Sequence, residues 1–241
     1  MYINEEEIYN VMEKIRHDKI LSKSGFGSRT DSKKLIRAGR VTIDGKKALS
    51  SSEKAFPESV MVDGKKVEYK EFVYIILNKP AGVISATEDK KKETVLDLLP
   101  EHYKTYDLFP VGRLDIDTEG FLLITNDGPL AHNLLSPNKH CPKTYYVETE
   151  RKPSEKDMQK LRDGIYIGEG ITTSPAEAEF HEKGILLTIY EGKFHQVKRM
   201  LEAVDNKVTY LKRVAMGNMK LPENLSTGEF IEVDLLFVQN A

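Results

Sequence analysis

Residues 111–128 read VGRLDIDTEGFLLITNDG. Asp115, Asp117 and Glu119 alternate here and run directly into a block of large apolar residues. Carboxylates so spaced suit cation ligation, acid–base or nucleophilic catalysis, or plain turn capping. The cation reading starts well, because Gly120 stands at the sixth position, which a calcium loop reserves for glycine. It stops at the twelfth position, where a bidentate Glu is needed and Asn126 stands, and at the Phe-Leu-Leu-Ile-Thr between them, which is a buried-strand pattern. Zinc lacks a ligand set, since Cys141 has only His140 nearby and the other histidines are scattered. There is no GxxxxGK[ST], GxGxxG or GxSxG, and Cys141 sits beside a proline with no activating base. No metal and no cofactor are expected. What stays is a carboxylate at the mouth of a turn, with capping and catalysis equally open for either aspartate. A second group is GKFHQVKRM, which puts His195, Lys198, Arg199 and Glu202 on the polar side of an amphipathic helix. Such cations would pair with a carboxylate at the edge of a facing sheet and favour its charged form; a solvated helix face is the plain alternative.

These groups need elements to hold them. FVYIILNKPAGV and FLLITND read as buried strands, each closed by turn residues. KKKETVLDLLPEHY reads as a charged loop and a short helix. PLAHNLLS reads as a helix with Pro129 at its first position. KTYYVETE and ILLTIYEGK are strands. SEKDMQKLRDG is a helix capped by Ser154 with Asp157 and ended by Gly164. FHQVKRMLEAVD is a helix with Val197, Met200, Leu201 and Val204 at i, i+3, i+4, i+7. VTYLKRVAM and EFIEVDLLF close the chain as strands. Strands outnumber helices without regular alternation, so the fold class is α+β with a large, mainly antiparallel sheet.

The chain has 241 residues, 39% hydrophobic and 31% charged, ordinary for a soluble globular protein. No apolar run approaches the roughly 20 residues of a membrane helix. The opening MYINEEEIYNVMEKI is acidic and lacks the form of a secretion signal. One cysteine allows no internal disulfide, which suits a cytoplasmic location. The net charge of −2 hides an asymmetry: residues 14–70 carry 15 Lys and Arg against 7 Asp and Glu, a net of +8. A basic block on an otherwise acidic chain suggests a polyanion-binding module, against the alternative of a solvated lysine-rich face. Within it HDKILSKSGFG is a short helix. SRTDSKKLIRAGR is a second, with Ser28 and Asp31 as a capping box and Gly39 past its end. VTIDGKKAL and VMVDGKKVEY are hairpins on Asp-Gly turns. KKVEYKE is a polar linker candidate.

RHDKILSKSGFGSRTDSKKLIRAGRVTIDGK resembles an S4 RNA-binding domain, a small αL-like fold that lays a helix pair on structured RNA. The resemblance implies RNA contacts from Arg29, Lys33, Lys34, Arg37 and Arg40. His17 stands where such domains often carry an apolar residue. GRLDIDTEGFLLITNDG, with LNKPAGV before it and KTYYVE and EGKFHQVKRM after it, resembles the pseudouridine synthase superfamily, and LLSPNKHCPKTY is similar to its branch acting on the small ribosomal subunit. The implied boundaries are an extension over 1–15, an S4 domain over 16–68, a linker over 69–72 and a catalytic domain over 73–241. The implied reaction breaks the uracil N1–C1′ bond of a uridine, turns the base and rejoins it through C5. It needs no cofactor.

The resemblance assigns catalysis to Asp115, with Tyr145 stacking on the uracil and Lys198 pairing with Asp115. Arg113 would lie by the base-flipping path, Lys79 and Pro80 would shape the pocket floor, and Asp117 would support the turn. Two roles are open to Asp115: attack on carbon, or support of proton abstraction at C2′ by Tyr145. The implied partner is 16S ribosomal RNA of an assembling small subunit, modified at uridine 516 in the usual RNA numbering by a monomeric enzyme. The alternatives are a large-subunit (23S) ribosomal RNA synthase and a non-catalytic assembly factor, the latter opposed by the intact Asp115, Tyr145 and Lys198.

Overall fold

Two Asp-Gly dipeptides set the shape of the N-terminal region. Asp44 and Gly45 have φ of 49° and 76°, and Asp63 and Gly64 have 50° and 78°. Paired positive φ values are the requirement of the tight hairpin turn that these dipeptides favour. The computed structural model describes residues 13–181 and 183–239. The predicted extension over 1–15 therefore lies mostly outside the described residues. Contacts divide the chain into two units: residues up to Phe72 with Pro100–Asp107, and Val73–Leu99 with Leu108 onward.

The first unit opens with β1 (Ile15–Arg16), α1 (His17–Lys23) and α2 (Arg29–Arg37). The Ser28 hydroxyl accepts from the Asp31 N–H and the Asp31 carboxylate accepts from the Ser28 N–H, each at 3.2 Å, which is the capping box read from the sequence. β2 (Val41–Ile43), β3 (Lys46–Lys47), β5 (Val60–Val62) and β6 (Lys65–Lys66) form a sheet in the order β3-β2-β5-β6, and β4 (Lys54–Ala55) pairs with β1. Ile20, Leu21, Ile36, Val41, Val60 and Val62 make its core. His17 is buried, and its Nδ1 lies 2.8 Å from the Ser50 carbonyl, so a polar ring is tolerated at that apolar position. Pro100–Asp107, which lies within the 73–241 span drawn from the sequence, groups with this unit. Its short helix is 3-10 (Glu101–Tyr106) and buries Tyr103 and Tyr106.

The second unit contains β7 (Tyr74–Lys79), β8 (Phe109–Pro110), β9 (Glu119–Thr125), α3 (Gly128–Leu135), β10 (Lys143–Thr149), α4 (Glu155–Asp163), β11 (Glu177–His181), β12 (Gly184–Ile189), α5 (Gln196–Glu202), β13 (Val208–Met216), β14 (Met219–Lys220), β15 (Phe230–Val233) and α6 (Leu235–Gln239). The sheet runs β11-β12-β10-β13-β9-β7-β15, with β14 beside β13 and β8 beside β9. Every one of these pairs is antiparallel except β9 with β13. β7 and the body of β9 are buried along both faces, which explains the apolar runs Tyr74–Leu77 and Phe121–Ile124, and the polar Asn78 and Lys79 that end β7 are buried with them. No helix among the described residues is long and apolar enough to cross a membrane.

Two sequence expectations are corrected. EFIEVDLLF is not one strand: β15 ends at Val233, and the Asp234 carboxylate accepts from the Phe237 N–H at 2.8 Å to start α6. The helix expected from Phe194 starts only at Gln196, because His195 holds a left-handed φ of 50°.

Candidate active site

The loop between β8 and β9 carries both aspartates. The Thr118 N–H donates to the Asp115 carbonyl at 3.1 Å, which closes a turn with Ile116 and Asp117 at its corners. The Gly82 N–H donates to Ile116 O at 2.7 Å, and the Leu114 N–H donates to the Ser85 hydroxyl at 3.0 Å. Beneath the loop lies Lys79, fully buried at the end of β7. Its ammonium donates to Pro80 O and Thr118 O at 2.9 Å and to Asp115 O at 3.2 Å, with Ile116 O at 3.4 Å. Burial pushes the Lys79 pKa down to about 8 against the partial opposition of Asp117, Glu119 and Asp115. The turn is thus tied down from within, and its carboxylates are left to project.

α5 supplies the cation. Lys198 Nζ lies 2.6 Å from Asp117 Oδ1 and 3.1 Å from Asp115 Oδ2. Desolvation disfavours the Lys198 charge, but the hydrogen bonds to Asp117 and Asp115 outweigh it and raise its pKa above the usual lysine value. The bond from Lys198 holds the Asp117 carboxyl below its usual range. His195 stands on the other side, with Nε2 3.6 Å from Asp115 Oδ1. Asp115 is thereby flanked by two basic groups, and 28% of its side chain is exposed.

Tyr145 is buried on β10, opposite Leu187 of β12 and Arg213 of β13. Its hydroxyl bonds to no described residue, whereas the Tyr146 hydroxyl donates to Glu148 at 2.9 Å. The seam that brings β13 beside the aspartate loop depends on Gly120. That residue has φ +101°, and a Cβ there would stand 2.2 Å from Arg213 O. Pro80 is half-buried, and Arg113 is exposed and forms no ion pair with a described residue.

The structure therefore brings Asp115, Lys198 and Lys79 together and leaves Arg113 at the surface. Two residues stand closer to the centre of the site than the roles the resemblance assigned. His195, read as one of the helix-face cations that would pair with a carboxylate, reaches Asp115 from ahead of the helix, and Asp117, to which the resemblance gave a supporting role, is the nearer partner of Lys198. The GKFHQVKRM pattern marked His195 as a cation, but the i, i+3, i+4 spacing of α5 carries no mark of a left-handed residue before it. Asp117 had its own signal, the spacing of two from Asp115. In the first unit Arg29, Lys33, Lys34, Arg37 and Arg40 are all exposed. Lys34 pairs with Asp31 at 2.9 Å and Arg40 with Asp63, while Arg29, Lys33 and Arg37 make no ion pair with a described residue.

Residues 73–203 match the RNA pseudouridylate synthase family, and residues 16–55 match the S4 domain. An uncharacterized RNA pseudouridine synthase of Bacillus subtilis (strain 168) is 50% identical over 91% of this chain and 95% of its own length. The ribosomal small subunit pseudouridine synthase A of Yersinia pestis is 41% identical over 90% of this chain and 93% of its own. The ribosomal large subunit pseudouridine synthase B of Bacillus subtilis (strain 168) is 37% identical over 90% and 91%. A crystal structure of a pseudouridylate synthase superposes with a TM-score of 0.66 at 32% identity, covering 94% of this chain and 99% of that one.

Proposed function

The chain belongs to the RNA pseudouridylate synthase family and carries an S4 domain, and we propose that it isomerises one uridine of small-subunit (16S) ribosomal RNA to pseudouridine, at uridine 516. The observation that carries the catalytic part is the carboxylate of Asp115 on an immobilised turn, 3.1 Å from Lys198 and open to solvent on its free side. The small-subunit part is supported by the 41% identity to a synthase of that name, against 37% for one named for the large subunit. The same reading takes an assembling small subunit as the partner and a cytoplasmic monomer as the enzyme.

The chemistry fits these groups. The N1–C1′ bond breaks, C1′ joins C5, and the C5 proton leaves while N1 gains one, so the product is an isomer and no redox partner is consumed. The uridine leaves its stack to be reached. Tyr145 offers the flipped uracil an aromatic face and a hydroxyl bonded to no described residue, and stacking of this kind is worth roughly 1–3 kcal/mol per base. Asp115 supplies the carboxylate that acts on the ribose while the bond to uracil is broken. Lys198 and Asp117 fix its place, Lys79 ties down the turn that carries it, and Pro80 lies on the floor.

The test replaces Asp115 with Asn and maps pseudouridine in ribosomal RNA from a strain that has only this variant. Loss of the modification at uridine 516 is expected, with the variant still binding RNA. Loss at a large-subunit position instead would overturn the substrate. Retention of every pseudouridine would overturn the role of Asp115.

A further inference from the structure

A single exposed apolar side chain is ordinary on a protein surface. Phe194 is 72% exposed, but its surroundings are not ordinary. Its ring stacks on the His195 imidazole, with centroids 3.7 Å apart and planes 21° from parallel. The edge of that imidazole reaches Asp115, Nε2 to Oδ1 at 3.6 Å. Phe194 is thus one ring removed from the candidate catalytic carboxylate. Ile116, 38% exposed, is the apolar corner of the aspartate turn itself.

The turn that presents Phe194 is clamped. The Gln196 N–H donates to Lys193 O at 3.1 Å, and the buried Gln196 side chain accepts from the Lys193 N–H at 2.9 Å while donating to Glu191 at 2.9 Å. Arg199 reaches Phe194 O at 3.3 Å and Ile167 O at 2.9 Å. His195 holds a left-handed φ of 50°, a conformation costly for a residue with a side chain unless its surroundings impose it. Each of these restraints acts on the backbone or on the inner ring. The outer face of the Phe194 ring is open. The neighbouring cations are already engaged, Lys193 with Glu191 at 3.7 Å, Lys198 with Asp115 and Asp117, and Arg199 with Glu169 at 3.2 Å, so what the turn offers a ligand is the ring face.

We propose that Phe194, backed by His195, is a stacking platform for an unpaired nucleobase immediately next to the target uridine. The inference rests on the reading of Asp115 as the site of uridine chemistry. Pulling one base out of a stack leaves its neighbour unstacked on one face. Tyr145, being buried, serves the flipped base and not that neighbour. A rigid exposed aromatic one ring from the carboxylate replaces the neighbour's lost contact, and its prior fixation spares the ordering cost of building a site on binding.

The test measures fluorescence anisotropy of an RNA oligonucleotide with the small-subunit sequence around uridine 516, bound by the full chain in the Asp115→Asn background so that the RNA stays unconverted. Phe194→Ala is expected to weaken binding about 5- to 150-fold, the equivalent of one stacked base. That loss is expected to shrink when one of the two nucleotides flanking the uridine is made abasic, and Phe194→Trp is expected to keep full affinity. No loss in Phe194→Ala, or an equal loss with the intact and both abasic RNAs, overturns the platform. The isomerase reading fails by a different result, absence of pseudouridine from the same RNA treated with the unsubstituted chain, because the platform is scored by binding alone.

Discussion

An ammonium with no access to water needs acceptors, and Lys79 finds them in the backbone carbonyls of Pro80, Asp115, Ile116 and Thr118. The sequence reading had it shape the pocket floor; the structure shows it tying the aspartate turn to the end of β7. Its pKa, pushed down by burial to about 8 from the usual 10.5, gives a sign to the pH dependence. Below about pH 8 the amine is protonated in folded and unfolded chain alike, and the burial penalty is fully present. Between 8 and 10.5 the unfolded chain holds the proton and the folded chain does not, so stability rises with pH across that window. Lys79→Met removes the group and should flatten this rise. It should also leave buried carbonyls unpaired, destabilising the fold by about 3 kcal/mol, and lower turnover by freeing Asp115. Urea unfolding of both proteins at about pH 7 and pH 9.5 reads the first two effects. An equal rise in both proteins would show that Lys79 is not the group responsible.

The pairing of β9 with β13 has a cause in one residue. Both strands approach at Gly120, where an added Cβ would meet Arg213 O at 2.2 Å and Lys212 Cγ at 2.8 Å, and where φ is +101°. Gly120→Ala should therefore force the strands apart and impose a strained φ, a loss of about 3 kcal/mol or more. Because Glu119 and Gly120 follow the aspartate turn directly, turnover should fall with stability. A thermal midpoint unchanged from the parent would refute the close approach. Much of this layout was legible beforehand. FVYIIL and FLLI are apolar without interruption, the pattern of strands covered on both faces, and Ser28 with Asp31 and Ser154 with Asp157 announced two helix starts. The rest was hidden for physical reasons. The parallel seam is a long-range pairing with no local pattern, and once Asn126 and the apolar run had excluded a calcium loop nothing local gave Gly120 its role against Arg213. Asp234 turns what reads as a single strand, EFIEVDLLF, from strand to helix by one capping bond. Periodicity cannot report the left-handed residue that sets His195 beside Asp115.

Charge is divided between the ends of the chain. Residues 14–70 carry a net of +8, whereas residues 71–241 carry 21 Lys and Arg against 27 Asp and Glu. A catalytic unit with excess acid repels a polyanion on average, so RNA affinity should come largely from the basic N-terminal block. The five cations read there as RNA contacts are not equivalent. Arg40 is held by Asp63 through its Nε and Nη2, and Lys34 by Asp31, so part of their charge is already neutralised within the fold. Lys33 and Arg37, exposed and without an ion pair to a described residue, keep theirs for phosphate. Each phosphate contact contributes roughly 0.7–0.9 to the slope of log affinity against log salt. Lys33→Ala with Arg37→Ala should then lower that slope by about 1.5, weaken binding most at low salt, and leave the turnover number at saturating RNA unchanged. Arg40→Ala should lower the slope by less than either single change, because it frees the Asp63 carboxylate as it removes a shared cation. Binding measured across a salt series for the double variant and for Arg40→Ala decides the point. Equal slopes for all three proteins would move the RNA-binding surface away from α2 altogether.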